Sequence, residues 1–153
     1  MGKVSKLIYI SWWKFLKWNF LSGNIKRDKG KYIIPYRHAV IDIHKTGVVE
    51  LHANITVAPI EARGSKRESI LFVRENGRLV VNGKVTVQTG ATLQVQHDAS
   101  IEIGKAYINH GATIIAGNHM KIGNELLCSR NVTIFDSAFQ KIIDEEGNQL
   151  NTP

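Results

Sequence analysis

The side chains in this chain that could do chemistry are few and cluster in its second half. Cys128 is the single cysteine, so no internal disulfide can form, and its presence fits a reducing compartment. It falls in an inward apolar row, which makes it a small core filler rather than a nucleophile. His110 falls one step before Ala116 in that same row. Two readings stay open for it, a partly buried structural histidine at a corner or one that touches a ligand. No His/Cys cluster has metal-ligand spacing. The remaining candidate is the run Asp136-Ser137-Ala138-Phe139-Gln140, where a regular pattern breaks off.

That pattern defines the elements that must hold these residues. Gly111, Gly117, Gly123 and Ser129 fall six apart, as do Ile108, Ile114, Met120, Leu126 and Val132. A partner row holds Ala116, Ile122, Cys128 and Ile134. Upstream, apolar pairs at i and i+2 recur between turn residues: Ile41/Ile43, Val49/Leu51, Ile55/Val57, Leu71/Val73, Leu79/Val81 and Val85/Val87. Residues 41–57 align with 71–87 without a gap, and 93–103 is a shorter third copy. Corners this short exclude βα crossovers and do not suit a meander of hairpins. The expected fold is all-β: a parallel β-helix of coils near 18 residues, each strand pairing with its equivalent one coil away. The expected organisation is a helical segment over 1–31, the β-helix over 32–143 with a polar loop at 58–69, and a polar tail over 144–153.

The formal charge of +7 belongs to the N-terminal fifth. Residues 1–31 carry eight basic side chains and one acid, and the rest of the chain is balanced. A nucleic-acid-binding body is therefore not expected. All three tryptophans, Trp12, Trp13 and Trp18, lie in the same segment. At 100° per residue Lys3, Lys6, Lys14 and Lys17 fall in about one quadrant, opposite the aromatic and aliphatic residues. An amphipathic helix is expected over residues 3–21, ending near Ser22-Gly23-Asn24. It is too charged and too short to span a bilayer. Its apolar face suits either an in-plane membrane contact or docking on the β body, and the sequence leaves both open.

The stretch 104–143 resembles the hexapeptide-repeat acyltransferases, a family of left-handed parallel β-helices. Residues 120–134 look like the coil before that family's active-site loop, and the basic aromatic N-terminus looks like its capsule- and polysaccharide-modifying O-acetyltransferases. The resemblance covers roughly 36–143, and left-handedness comes from it alone, since the usual crossover rule favours the other hand. It implies a homotrimer with acetyl-CoA or another acyl-CoA as co-substrate, a saccharide hydroxyl as acceptor, and no metal. It places the protein in the cytoplasm, peripheral at the inner membrane. It also implies an Asp-Ser-Asp-x-His-like loop whose histidine is the general base. Here Asp136 matches the first acid, Ala138 stands at the second and Gln140 at the histidine. Glutamine orients a hydroxyl but takes no proton at neutral pH.

The family also continues past an Asn-Thr-Pro-like stretch into coils that complete the acyl-CoA groove, whereas this sequence stops at Asn151-Thr152-Pro153. The last coil is thus expected to expose an uncapped strand edge. Three explanations stand open. The sequence is a fragment, or it is a short paralogue kept for binding, or His110 or His119 replaces the base across a subunit interface. The expected function is O-acyl transfer; the alternative is a non-catalytic membrane-associated scaffold. Ice binding is set aside because Thr86, Thr92, Thr113 and Thr133 do not read as a regular row.

Overall fold

The computed structural model describes residues 7–59, 65–137 and 143–148. Apolar residues alternate with polar ones in short runs, so each run buries one side and exposes the other. The result is a parallel β-solenoid of about five coils. The strands are β1 Ile25–Arg27, β2 Ile33–Pro35, β3 Ala39–Ile43, β4 Val48–Leu51, β5 Ile55–Val57, β6 Ser69–Val73, β7 Arg78–Val81, β8 Val85–Val87, β9 Thr92–Val95, β10 Ser100–Ile103, β11 Ala106–Ile108, β12 Thr113–Ala116, β13 His119–Ile122, β14 Leu126–Cys128 and β15 Thr133–Phe135. They stack into three five-stranded sheets: sheet I is β1-β4-β7-β10-β13, sheet II is β2-β5-β8-β11-β14, and sheet III is β3-β6-β9-β12-β15.

The register follows the internal alignment pair for pair. Ile41 lies on Leu71, Val49 on Leu79 and Ile55 on Val85. Leu71 continues to Leu93, and Leu79 to Ile101. Inward aliphatics from all three sheets, among them Ile33, Val49, Leu71, Leu93, Ile101 and Ile114, are fully buried. The coils are longer than expected. Ala106 pairs with Leu126, twenty positions on, Val85 with Ala106, twenty-one, and Arg78 with Ser100, twenty-two. Corners of unequal length make up the difference, so a strict six-residue row drifts out of phase. Ile114 and Met120 still point inward, but Val132 precedes β15 and is exposed.

Two further strands, β1 and β2, lie upstream of the first one expected, and β1 falls within the segment read as helical. Both pair with the next coil, Ile25 on Val49 and Ile33 on Ile55. They escape notice because three-residue strands among lysines carry too little alternation to stand out.

Corners are held by side chains that reach one coil along the stack. Asn54 Oδ1 accepts from Tyr32 N–H at 2.9 Å, and Asn124 Oδ1 accepts from Lys105 N–H at 3.0 Å. Gly83 is required because the next coil passes directly over it. A Cβ there would sit 2.6 Å from Gly104 C and 2.7 Å from Lys105 Cα. Gly111, with φ of +70°, makes the left-handed step between β11 and β12, and Asn131 repeats it one coil later at 56°.

Over the described residues the expected helix is interrupted: Leu7 is helical, the chain then leaves the helix, and a helix resumes at Trp12. Its α-helical part, α1, covers Trp12–Leu16, and a π-helical turn follows over Lys17–Leu21. Its end at Ser22 agrees with expectation. Between the two helical stretches Tyr9–Ser11 is drawn out along the free edge of β2. Ser11 N–H donates to Pro35 O, Arg37 N–H donates to Tyr9 O, and Ile10 bridges Tyr36 in antiparallel sense. Asn19 then completes the edge. Its Nδ2 donates to Ile33 O at 2.8 Å while its Oδ1 accepts from Ile33 N–H at 2.9 Å. One side-chain amide thus serves β2 as a neighbouring strand's peptide would. Trp18, 7% exposed, joins the core cluster beside it, so the segment closes the N-terminal end of the prism.

Candidate functional site

The chemistry-bearing residues fall at three places. The first is the corner between sheets III and I above β12. Asp136 follows β15 and turns its carboxylate onto this corner, where Oδ1 accepts from Gly117 N–H at 2.6 Å and from Asn118 N–H at 3.2 Å. The next residue is His119, the first of β13, with its ring exposed on the outer face of sheet I. Ser100 lies directly beneath in register, and its Oγ meets His119 Nδ1 at 2.9 Å. A hydroxyl bonds in either sense, so it accommodates both tautomers of the ring. With Nδ1 so engaged, Nε2 is the ring nitrogen that can meet a further partner. Neighbouring charges on this face are paired between coils: Arg78 with Glu50 at 3.0 Å, and Lys121 with Glu102 at 3.6 Å. The Arg78 guanidinium holds the Glu50 carboxyl below its ordinary range by hydrogen bonding and charge.

The second place is the corner between sheets II and III, where His110 precedes Gly111. His110 is half-buried at the corner rather than pointing into the core. Asn109 Oδ1 accepts both its backbone N–H and its Nδ1, each at 2.8 Å. An amide oxygen only accepts, so Nδ1 is the donor in this contact. Asp136 and His119 therefore share a corner, and His110 stands at another. Gln140, with Ala138, lies outside the described residues.

The third place is an open groove of about 330 Å³ along the outer face of sheet II and its border with sheet I. Thr86, Tyr107 and Leu127 stack in register along its floor, and Lys84, Lys105 and Glu125 form its rim. Lys105 Nζ contacts both Glu125 oxygens at 3.0 Å. Tyr107 Oη accepts from Gln88 Nε2 at 2.6 Å. The groove was not legible as a site in the sequence. The signal was present, since Thr86, Tyr107 and Leu127 recur at the coil length rather than at six.

Cys128 is buried, and burial pushes its thiol up, as befits a core residue. Among the described residues no group of three His, Cys, Asp or Glu side chains could hold a metal. The threonines are a correction. Thr92, Thr113 and Thr133 do form a row up sheet III, and Thr86 stands on Thr56 in sheet II. The row beside the three threonines is Gln94, Ile115 and Phe135, so no two-rank threonine lattice results.

The N-terminal residues divide by role. Lys14 does not stand with a free cationic face: its Nζ donates to Ala39 O at 2.7 Å and to Arg37 O at 3.3 Å. Trp18 is buried, and Lys17 lies over its ring at 4.6 Å. Trp12 and Trp13 are exposed. Lys3 and Lys6 lie outside the described residues. No helix among the described residues is long and apolar enough to cross a membrane.

Comparison with protein-family models, with curated proteins and with solved structures finds no match to this chain.

Proposed function

We propose that this chain is a left-handed β-helix O-acyltransferase that moves an acyl group from acyl-CoA to a saccharide hydroxyl. In this reading it works as a homotrimer, peripheral at the inner membrane face. The observation that carries the reading is the convergence of Asp136, Ser100 and His119 on one corner of a parallel three-sheet prism. His119 takes the place that the resemblance gives to a loop histidine, and Gln140 is not asked to act as a base. His119 Nε2 takes the proton of the acceptor hydroxyl as its oxygen attacks the thioester carbonyl. The tetrahedral adduct collapses, the C–S bond breaks, and the departing thiolate recovers the proton from the imidazolium.

The groove of Lys84, Lys105 and Tyr107 fits the donor's class, with the Lys84 ammonium for a phosphate, Lys105 held by Glu125, and an apolar floor for a pantetheine arm. His119 and the groove lie on the outer faces of different sheets. Donor and base would meet only between copies, which is what a trimer provides.

The test is thiol release from acetyl-CoA in the presence of soluble oligosaccharides, with acyl-sugar detected by mass. His119→Ala should slow transfer by roughly 10²–10⁴-fold, and His110→Ala should leave it unchanged. Acceptor-dependent thiol release that never exceeds background would sink the reading. A second reading, a non-catalytic membrane-associated scaffold, is favoured by one observation: the Asp136 carboxylate is already engaged by backbone N–H groups as a corner tie. Concentration-dependent filaments or sheets in electron micrographs, together with no transfer, would select it.

A further inference from the structure

We infer that the N-terminal end of the prism docks end-on to a bilayer carrying anionic headgroups, with a headgroup phosphate seated between Lys17 and Lys45. This rests on the peripheral-membrane part of the reading above and specifies which residues perform it. Docking on the β body uses Trp18, Asn19 and Lys14, and it leaves a second apolar surface outside. Ile8, Trp12, Trp13, Leu16, Phe20 and Leu21 remain between 49% and 70% exposed within fourteen residues. The sequence left membrane contact and body docking as alternatives; in the fold, different residues of one segment serve each.

Charge selects the occupant. The exposed aromatics belong to the only strongly cationic part of the chain, residues 1–31, while the remainder is balanced. Tryptophans beside lysines suit the boundary between headgroups and acyl chains, and an excess of cations suits anionic lipid. Next to the patch lies an open groove of about 540 Å³ lined by Lys17, Trp18, Ser22, Gly23, Asn24 and Lys45. Its two lysines come from different elements, one from the π-helical turn and one from the corner after β3. The fold alone brings them together around a space of headgroup size. Because the segment covers the free edge of β2, the patch stands at one end of the stack and β13 near the other. His119 would then face its acceptor about 19 Å above the first coil, four strand spacings of ~4.8 Å.

The experiment is cosedimentation of the full chain with phosphatidylcholine vesicles, with and without phosphatidylserine. The intact protein should bind the phosphatidylserine vesicles and lose binding as salt is raised. Lys17→Gln with Lys45→Gln should weaken binding roughly 25-fold, about fivefold per cation. Trp12→Ala with Trp13→Ala should abolish it, and circular dichroism should show both variants folded, since these side chains are exposed. Bromine-labelled acyl chains should quench the intact protein's tryptophan emission. They should not quench a Trp12→Phe, Trp13→Phe variant, in which only buried Trp18 emits.

Equal binding to neutral vesicles, full binding by the variants, or quenching of Trp18 would overturn the inference while the peripheral reading stands. No binding by the intact protein would remove both. Transfer to a soluble acceptor, measured separately, would be unaffected by either result.

Discussion

Replacing Asn19 with alanine tests whether the N-terminal segment closes the solenoid in the way the hydrogen bonds indicate. The Asn19 side chain satisfies both Ile33 N–H and Ile33 C=O, and Ile33 is fully buried. Alanine leaves two buried backbone groups without a partner at about 1–3 kcal/mol each, so the expected loss is roughly 2–6 kcal/mol. That is a large part of the ~5–15 kcal/mol that holds a typical domain together. Solenoid coils are stabilised by their neighbours, so the end coil should open before the rest. Urea unfolding followed by tryptophan emission reads this directly. Trp12 and Trp13 are already exposed, and the signal change comes from Trp18. The variant should show a red-shifted native baseline and an early transition. Asn19→Asp sharpens the test. A carboxylate still accepts from Ile33 N–H but cannot donate to Ile33 O, whereas a protonated carboxyl can, so stability should recover in part as pH falls. A loss below about 1 kcal/mol with unchanged Trp18 emission would show that the β2 edge does not depend on this amide.

Three further outcomes follow from the packing. Gly83→Ala places a Cβ against the Gly104–Lys105 backbone, which cannot swing aside as a side-chain end would. It should cost at least about 2 kcal/mol, read as a lower Tm. Cys128 should react with an aromatic disulfide reagent far more slowly in the native protein than in denaturant, because burial both shields its thiol and raises its pKa. The Glu50–Arg78 pair should show coupling of about 0.2–1 kcal/mol in a Glu50→Gln, Arg78→Met double-mutant cycle at neutral pH. The folded-state pKa of Glu50 is depressed, so this contribution is present above the ordinary glutamate range and lost as pH falls through the lowered value. The same cycle repeated in acid should return no coupling.

The coils were legible because inward positions recur coil by coil, and the gapless match of 41–57 with 71–87 arises because the three strands and two corners in those stretches are equally long. What the sequence hid has one physical cause: contacts between coils join residues about twenty apart, far outside any local pattern. Ser100 beneath His119, Lys105 beneath Glu125 and the threonine row of 92, 113 and 133 are all of this kind. The break in the helix has a related cause. Residues 8–10 have helical amphipathicity, but the free edge of β2 offers Pro35 O and Tyr36 as backbone partners, and pairing with that edge wins over local propensity. The contacts of Lys14 have the same origin, since only the fold places two carbonyl oxygens within its reach.

The corner at Asp136 shows where the weight of the catalytic reading lies. Its carboxylate accepts Gly117 and Asn118 N–H groups, and His119 is the next residue, so the group that ties the coil also sets the backbone at His119. Loss of activity on replacing Asp136 would not separate chemistry from architecture. Ser100 does separate them, because among the described residues its hydroxyl hydrogen-bonds the ring and it stands on the coil beneath. Ser100→Ala leaves the β10–β13 ladder intact and frees the imidazole to turn. In the acyl-transfer reading, a base held on a strand face in this way would gain its precision from strand register rather than from a loop. Such a face also has no walls of its own, so in the acyl-transfer reading the acceptor must be enclosed by a second copy. The reading therefore requires two things together, a histidine oriented by Ser100 and an interface that covers it, and a monomer that transferred acyl groups would contradict it.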